Sequence, residues 1–312
     1  MSILEVTLLL YARGNRGKDF ETMIKRVAVI NDLSGLGKCS LTAAIPVISV
    51  MGVQPCPIPT AVLTNQTDYE SYHSVDFTDY IDFYTTEWKK RGITLDGIYT
   101  GYLGSEAQVQ KILSFCENFR TEHTLLFVDP VMGDNGTTYD VYTPEYGKQM
   151  KRLIAEADVI TPNLTECCML AGVDYHELIT HRNESNYLNR IEEFTRPLLR
   201  NGMKAIIVTG IIHQADSDSL PKFYNLVVTE ETSEAVSCPI YGKSKTGYSG
   251  TGDLMASVIC AGMVRGYSAG RCVRLAVHFL EAALIDTASS GTDRNDGLNF
   301  EQYLSLLLDN HA

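Results

Sequence analysis

A short segment, Gly250-Thr251-Gly252-Asp253, combines glycines with a carboxylate immediately before an apolar stretch that we predict to be a helix. Backbone amides at a helix start lack partners and attract anions, and glycine lets a ligand approach the main chain closely. A carboxylate beside such an anion site would repel phosphate unless it accepted a proton from a substrate hydroxyl, so Asp253 is the candidate base. The alternative is that Thr251 and Asp253 only cap the helix.

Acidic side chains also follow two other hydrophobic runs of the sequence. Asp129 and Asp134 follow one run, and Glu166 follows another. Mg²⁺ takes carboxylate oxygens directly or through its waters, so the three carboxylates predict a site for a metal nucleotide. An isolated Asp after a strand is usually a turn former, and Asn163 with Glu166 could instead cap the next helix. The Gly-, Asn- and Thr-rich residues 133–139 could close over phosphates or form a mobile connection.

Residues 31–40 form a third polar segment with two closely spaced glycines. A Walker A loop would need a glycine where Asp32 stands, and a dinucleotide fingerprint would need one where Ser40 stands, so we reject both interpretations. Asn31, Asp32 and Ser34 instead offer hydrogen-bonding groups to a small polar ring or a sugar. Capping of the following helix is the alternative role for these three side chains.

The elements that would position these residues alternate between short aliphatic runs and longer amphipathic segments, a pattern typical of βα units around a mainly parallel sheet. Buried strands are predicted at residues 27–31, 97–99, 124–129, 159–161 and 205–209. Helices are predicted at residues 40–51, 79–91, 106–118, 144–156, 191–201, 252–263 and 271–288. Residues 223–230 and 234–241 alternate apolar and polar side chains and predict an antiparallel pair at a sheet edge. Residues 53–64 could form a flap or an edge strand.

The composition is that of one globular α/β domain. Of 312 residues, 45% are hydrophobic and 21% are charged, which excludes disordered, collagen-like and coiled-coil classes. The formal net charge of −12, from 26 basic and 38 acidic residues, argues against a nucleic acid partner. An anionic small molecule stays open, because a few amides and a metal ion can reverse the field locally.

The cysteines and the amino terminus bear on the cellular compartment. The eight cysteines show no Cys-x-x-Cys pair and no zinc spacing, which predicts a reduced, cytoplasmic chain. The sequence holds no run long enough for a membrane span and no convincing signal peptide.

The start of the folded domain is indicated by residues 13–18, which interrupt the apolar pattern with two glycines and three basic residues. We therefore expect residues 1–22 to lie outside the fold and residues 23–312 to form the single domain.

Taken together, the motifs resemble those of the ribokinase-like superfamily and, within it, of the pyridoxal kinases, over nearly all of residues 24–290. The segment from Gly250 to Asp253 is similar to the phosphoryl-transfer signature of this family. Residues 129–132 are similar to its Asp-Pro-Val motif, and residues 161–166 match its Thr-Pro-Asn-x-x-Glu motif. Residues 64–67 and 100–102 resemble two further segments of pyridoxal kinases.

The resemblance implies a three-layer α/β/α sandwich with a central, mainly parallel sheet, and it also implies a phosphoryl-transfer reaction. The γ-phosphoryl group of ATP would move to the 5′-hydroxyl of pyridoxal, pyridoxine or pyridoxamine, with Asp253 as base and the amides of Gly250, Thr251 and Gly252 as anion hole. The residues implied around Mg-ATP are Asp129, Asp134, Thr161, Asn163, Glu166 and Thr209, with Asp129, Asp134 and Glu166 toward Mg²⁺. Those implied in the vitamin pocket are Asp32, Ser34, Thr67 and Tyr102. A homodimer is also implied.

Two departures from the pyridoxal kinase pattern keep other functions open. Asp32-Leu33 stands where those kinases commonly have Ser-His, and Gln66 stands where they have His. The segment from Asp32 to Gly35 looks more like the hydroxymethylpyrimidine kinases, whose phosphoryl motif, however, usually ends in Cys where this chain has Asp253. An Asp near a pyridine ring could accept a hydrogen bond from a protonated nitrogen or an amino group. The alternatives are therefore a hydroxymethylpyrimidine kinase, a sugar kinase, or a non-catalytic nucleotide- or vitamin-binding protein.

Overall fold

The structure is a computed structural model that describes residues 24–308 except residues 201, 215–219 and 242–246. The prediction that residues 1–22 lie outside the fold concerns residues beyond this range and stays a prediction. The strands are β1 (Arg26–Ser34), β2 (Gln54–Leu63), β3 (Ser74–Asp76), β4 (Gly97–Thr100), β5 (Leu125–Val128), β6 (Gly133–Asp134), β7 (Thr137–Thr138), β8 (Val159–Ile160), β9 (Ala205–His213), β10 (Lys222–Val228) and β11 (Ser233–Pro239). The α-helices are α1 (Ser40–Val50), α2 (Ile81–Lys90), α3 (Glu106–Phe119), α4 (Pro144–Ala155), α5 (Leu164–Ala171), α6 (Tyr175–Leu178), α7 (Tyr187–Thr195), α8 (Thr251–Val264) and α9 (Ala269–Ser290).

Nine of the strands form one sheet in the order β11-β10-β9-β8-β5-β4-β1-β2-β3. The neighbours from β2 to β9 all pair in parallel, so their carboxyl ends meet at one edge of the sheet. Ligands of open parallel sheets bind at that edge. The strands β6 and β7 form a separate two-stranded hairpin.

Helices cover both faces of the sheet, as the alternating side chains of β1 show. Val27 and Val29 belong to a core with α1, α8 and α9, whereas Ala28 and Ile30 belong to a second core with α3, α4 and α7. All four side chains are fully buried. Burial on both faces explains why the parallel strands read as continuous hydrophobic runs. The predicted three-layer α/β/α architecture is confirmed.

The two ends of the sheet are antiparallel. The strands β10 and β11 pair antiparallel beyond β9, which confirms the predicted edge pair. At the other end the short β3 pairs antiparallel with β2. Residues 53–64 are therefore neither a flap nor an edge, because β3 lies outside the penultimate β2.

Three helices differ from the predictions. The helix predicted at 191–201 begins at Tyr187 and ends at Thr195, because Pro197 cannot continue an α-helix and sits in a 3-10 turn. The helices α5 and α6 are absent from the predicted helices, although Asn163 and Glu166 were considered as the cap of a helix at the place of α5. The side chains of α5 from Leu164 to Cys168 are all buried, so it lacks a broad exposed polar face. Among the described residues, no helix is both long and apolar enough to cross a membrane.

Candidate active site

One cleft of about 680 Å³ lies at the edge where the parallel strands end. All of the site residues predicted from the sequence line it. They are Asp32, Ser34, Thr67, Tyr102, Asp129, Asp134, Thr161, Asn163, Glu166, Thr209, Gly250, Thr251, Gly252 and Asp253. The topology of the sheet therefore brings residues up to 221 positions apart in sequence to the same cleft.

The start of α8 forms one wall of the cleft. Gly250 precedes the helix with a φ of 78°, and a Cβ at this position would lie 1.9 Å from the carbonyl oxygen of Lys38. Both facts require glycine there. At Gly252 an added Cβ would meet no atom within 4 Å, so the space beside this first turn is open. Amides of a first helical turn have no preceding helical carbonyl, and here they border open space that an anion could fill.

Asp253, in the same turn, is held by two donors. Its Oδ1 accepts a 3.0 Å hydrogen bond from Asn31 Nδ2, and its Oδ2 accepts a 2.8 Å bond from the amide of Ser40. Burial and the charge of Asp32 raise the pKa of Asp253 to about 6, while the bonds from Ser40 and Asn31 lower it. A carboxylate with such a pKa can both accept a proton and be ionised near neutral pH, as a general base must.

Asn31 contributes more to the site than the sequence indicated, where it was only a possible hydrogen-bonding group or helix cap. The side chain, 1% exposed, accepts the amides of Asp32 and Tyr102 at Oδ1, over 3.0 and 2.8 Å, in addition to its bond to Asp253. A Cβ at Gly101 would lie 2.3 Å from Asn31 Nδ2, so glycine there makes room for the amide. The only signal in the sequence was a polar residue at the end of a hydrophobic strand.

Asp32 is buried and receives two hydroxyl groups. Ser34 Oγ donates to Oδ2 over 3.0 Å and Ser40 Oγ donates to Oδ1 over 2.5 Å. Burial raises the pKa of Asp32, and these hydroxyls and its own backbone amide lower it. Ser34 is only 1% exposed and its hydroxyl is bonded to Asp32. Its role is therefore to hold Asp32 in place, and its hydroxyl is not free to bind a ligand.

The other two residues of the predicted vitamin pocket, Tyr102 and Thr67, line the same cleft as Asp32. Burial and the charge of Asp32 raise the pKa of Tyr102 to about 12, so its phenol stays protonated and can donate. Thr67 is exposed on the cleft wall. Its neighbour Gln66 is buried, and Gln66 Nε2 donates to the carbonyl oxygen of Asn295 over 3.2 Å.

Asp129 and Thr161 occupy the bottom of the cleft at the ends of β5 and β8. Burial and the charge of Asp253 raise the pKa of Asp129. The hydroxyl of Thr161 is buried beside Asp129 and lowers the pKa of that carboxyl. Two buried carboxylates that repel each other fit a cation and its ligands better than they fit an empty space.

Glu166 forms a capping box with Asn163 at the start of α5. Asn163 Oδ1 accepts the amide of Glu166 over 3.0 Å, and Glu166 Oε2 accepts the amide of Asn163 over 2.8 Å. Glu166 Oε1 accepts the amide of Met132 over 3.0 Å. Asn163 and Glu166 therefore do cap the helix, as the alternative interpretation had it. Burial and the charge of Asp129 raise the pKa of Glu166 well above its usual value. The amide of Gly133 also lowers the pKa of Glu166, so three backbone amides surround this carboxylate, which has about four acceptor positions.

Asp134 stands on the β6–β7 hairpin that borders the same cleft. Its two oxygens accept the backbone and side-chain nitrogens of Asn135, over 2.9 and 2.8 Å. Within the described residues there is no group of three or more His, Cys, Asp or Glu side chains arranged to hold a metal alone. A Mg²⁺ ion here would therefore complete its coordination with phosphate oxygens and water, which is its usual habit in nucleotide sites.

Thr209 lies in the middle of β9, because the strand predicted to end there continues to His213. Apolar side chains that the sequence did not reveal line the cleft together with Thr209. They are Phe223, Cys238, Met255, Val277, Leu280 and Leu284. They come from β10, β11, α8 and α9, and we call them the apolar slot. An apolar slot in the same cleft as open space for an anion would suit a planar base.

Comparisons with known proteins agree on one class of enzyme. The phosphomethylpyrimidine kinase family matches residues 37–297 of the chain. Over 257 residues the chain is 28% identical to pyridoxal kinase PdxY of Aliivibrio fischeri, an alignment that covers 78% of this chain and 83% of that protein.

Two solved structures share the fold. A Bacteroides thetaiotaomicron protein, classed as a phosphomethylpyrimidine kinase and crystallised with pyridoxal, is 35% identical, with a TM-score of 0.81 and coverage of 91% of this chain and 96% of that one. Pyridoxal kinase from Leishmania donovani, in complex with ADP and pyridoxamine, has a TM-score of 0.71 at 19% identity, covering 90% and 95% of the two chains. At that identity the likeness concerns the fold alone.

Proposed function

Since the chain belongs to the phosphomethylpyrimidine kinase family, we propose that it transfers the γ-phosphoryl group of ATP to the 5′-hydroxyl of pyridoxal, pyridoxine or pyridoxamine. It is a kinase of the ribokinase-like class, as the motifs predicted. A pyridoxal kinase among its relatives and a relative crystallised with pyridoxal support the vitamin B6 substrate.

The observation that carries this proposal is the position of Asp253 in the first turn of α8. The side chain stands beside the amides of Gly250 to Gly252, with a pKa raised to about 6. In the proposed reaction Asp253 accepts the proton of the vitamer hydroxyl as the bond from that oxygen to the γ-phosphorus forms and the bond to the β-phosphate oxygen breaks. The amides at the start of α8 receive the negative charge of the transferring group.

ATP would extend from the start of α8 into the apolar slot, where its base would be buried. Asp129, Asp134 and Glu166 would hold Mg²⁺, mainly through water, and Thr161 and Thr209 would contact phosphate oxygens. When bound, Mg²⁺ neutralises phosphate charge that would otherwise oppose the acidic cleft. The chain's own residues position the two substrates and remove the proton.

The vitamer would lie against Asp32, Tyr102 and Thr67. Asp32 could accept a hydrogen bond from a protonated pyridine nitrogen or an amino group.

The second candidate substrate is hydroxymethylpyrimidine, which the segment from Asp32 to Gly35 and the family match favour. Asp253 favours the B6 vitamers, because the pyrimidine kinases usually have Cys at this position.

The experiment that tests the function is ADP release with Mg-ATP, measured with pyridoxal, pyridoxine, pyridoxamine, hydroxymethylpyrimidine and ribose side by side. Asp253→Asn should lower kcat by roughly 10²-fold or more, the usual scale for a general base. Asp79→Asn, an exposed carboxylate outside the cleft, is the matched control. Preference for the pyrimidine would assign the second candidate, and an Asp253→Asn variant with full turnover would refute the base.

We propose further that the chain is a cytoplasmic homodimer. All eight cysteines are free thiols and seven are buried, which supports a reducing compartment. The edge strand β3 is exposed, and near it Val75, Tyr80 and Phe83 are 50%, 52% and 64% exposed, which supports a protein contact there. Sedimentation of the wild type and of Phe83→Asp tests this, and a dimer that persists in the variant would exclude this surface.

A further inference from the structure

Ser40, at the first position of α1, contacts two functional carboxylates at once. Its backbone amide donates to Asp253 Oδ2 over 2.8 Å, and its hydroxyl donates to Asp32 Oδ1 over 2.5 Å. The residue is 7% exposed, so water cannot readily replace either bond. Ser40 therefore joins the proposed base to the proposed vitamer pocket through a single residue.

The backbone of Ser40 is held in an uncommon conformation. Its φ is 50°, in the left-handed region that a residue with a side chain rarely adopts. Only Asn135, on the β6–β7 hairpin, shares a positive φ among the described residues other than glycine. Strain of this kind persists where the surrounding structure imposes it, and it is frequent at active sites.

The start of α1 also forgoes a side-chain cap. Cys39 stands at the N-cap and makes no side-chain capping bond, although a Ser at a helix start commonly serves that role. The hydroxyl of Ser40 goes to Asp32 instead. The neighbouring hydroxyl of Thr42 bonds only to the carbonyl oxygens of Gly37 and Cys39, so it serves the helix start and neither carboxylate.

From these contacts we propose that Ser40 is a positioning residue that fixes Asp253 and Asp32 relative to each other. Its left-handed backbone aims the amide at the base, and its hydroxyl holds the carboxylate that faces the vitamer. This inference rests on the proposed function and adds to it a residue that acts through the two carboxylates. Ser40 then has two separable roles: its hydroxyl supports vitamer binding through Asp32, and its amide orients the base Asp253.

The two roles can be separated by three variants. Ser40→Ala and Ser40→Gly keep the amide and lose the hydroxyl, so KM for pyridoxal should rise roughly tenfold or more, with kcat within about threefold of the wild type. Ser40→Thr keeps the hydroxyl, but a β-branched residue opposes a positive φ. In this variant kcat should fall roughly tenfold, while KM changes little.

Thr42→Ala is the matched control, because it removes a hydroxyl from the same helix start without touching either carboxylate. Both of its kinetic constants should stay within about twofold of the wild type, whatever its effect on thermal stability. Calorimetric titration with pyridoxal gives binding a readout that is independent of turnover. Ser40→Ala and Ser40→Gly remain informative if Ser40→Thr fails to fold, since both are small and Gly accepts the backbone conformation.

Wild-type KM and pyridoxal affinity in Ser40→Ala and Ser40→Gly would overturn the inference, as would equal losses in Thr42→Ala. These outcomes are judged against a wild-type enzyme that phosphorylates pyridoxal. A wild-type enzyme that turns over no vitamer would count against the proposed function itself, so the two failures are distinguishable.

Discussion

Asn31 Nδ2 donates a 3.0 Å hydrogen bond to Asp253 Oδ1 across a sequence separation of 222 residues. The orientation of this amide is fixed, because its Oδ1 accepts the backbone amides of Asp32 and Tyr102. Turning the amide over would place its NH₂ group against two N–H donors. The proposed base is therefore held by a side chain that the backbone of the vitamer pocket holds in turn.

The pKa of Asp253, raised to about 6, predicts the pH dependence of the reaction. A general base must be deprotonated, so activity is present above this pKa and is lost as the pH falls through it. We expect kcat/KM for pyridoxal, measured at saturating Mg-ATP, to level off above pH 7 and to fall about tenfold per unit well below pH 6. A profile that stays flat between pH 5 and pH 7 would contradict Asp253 as the base.

Replacement of Asn31 should shift this profile. The hydrogen bond from Asn31 favours the charged form of Asp253 and lowers its pKa, so Asn31→Ala should move the inflection to higher pH. It should also reduce stability by about 1–3 kcal/mol, since two buried amides lose their acceptor. Asn118→Ala, at an exposed asparagine, is the control for both measurements. An inflection at the wild-type pH in Asn31→Ala would show that the contact does not govern the base.

The class of fold and the lining of the cleft were predictable from the sequence because both depend on local patterns. Strands buried on both faces produce hydrophobic runs such as Val27 to Ile30, and parallel strands place the residues after their carboxyl ends at one edge. Asp129 follows such a run and was predicted for that reason, whereas Thr161 and Thr209 were implied by the resemblance to the pyridoxal kinases. All three line the cleft.

The detailed contacts were not predictable, because they depend on which strands become neighbours. Asn31 reaches Asp253 only because the sheet order and the packing of α8 bring the end of β1 and the start of α8 to the same cleft, which no local pattern contains. The positive φ of Ser40 likewise has no sign in its residue type, since it is imposed by the surrounding carboxylates and loop. The apolar slot was missed because its side chains come from β10, β11, α8 and α9.

Glu166→Gln should separate a capping role from a metal role. Both oxygens of Glu166 accept backbone amides, so the variant should lose stability, because the glutamine NH₂ group would face a donor. If the carboxylate also holds Mg²⁺, half-saturation should need roughly tenfold more Mg²⁺. Asp174→Ala removes another capping carboxylate, outside the cleft, and should lower stability without changing the Mg²⁺ titration. An unchanged titration in Glu166→Gln would leave capping as its whole role.

Gly250 and Gly252 are two positions apart yet should respond oppositely to alanine. Gly250→Ala combines a positive φ with a clash against the carbonyl oxygen of Lys38, so it should destabilise the protein markedly. Gly252→Ala meets no atom within 4 Å and replaces a helical glycine, so the melting temperature should stay equal or rise. Its methyl group nevertheless occupies the space beside the first-turn amides, so KM for ATP should increase or kcat should fall, by roughly tenfold. Wild-type kinetics in a fully folded Gly252→Ala would mean that the phosphoryl group does not approach α8 at this turn.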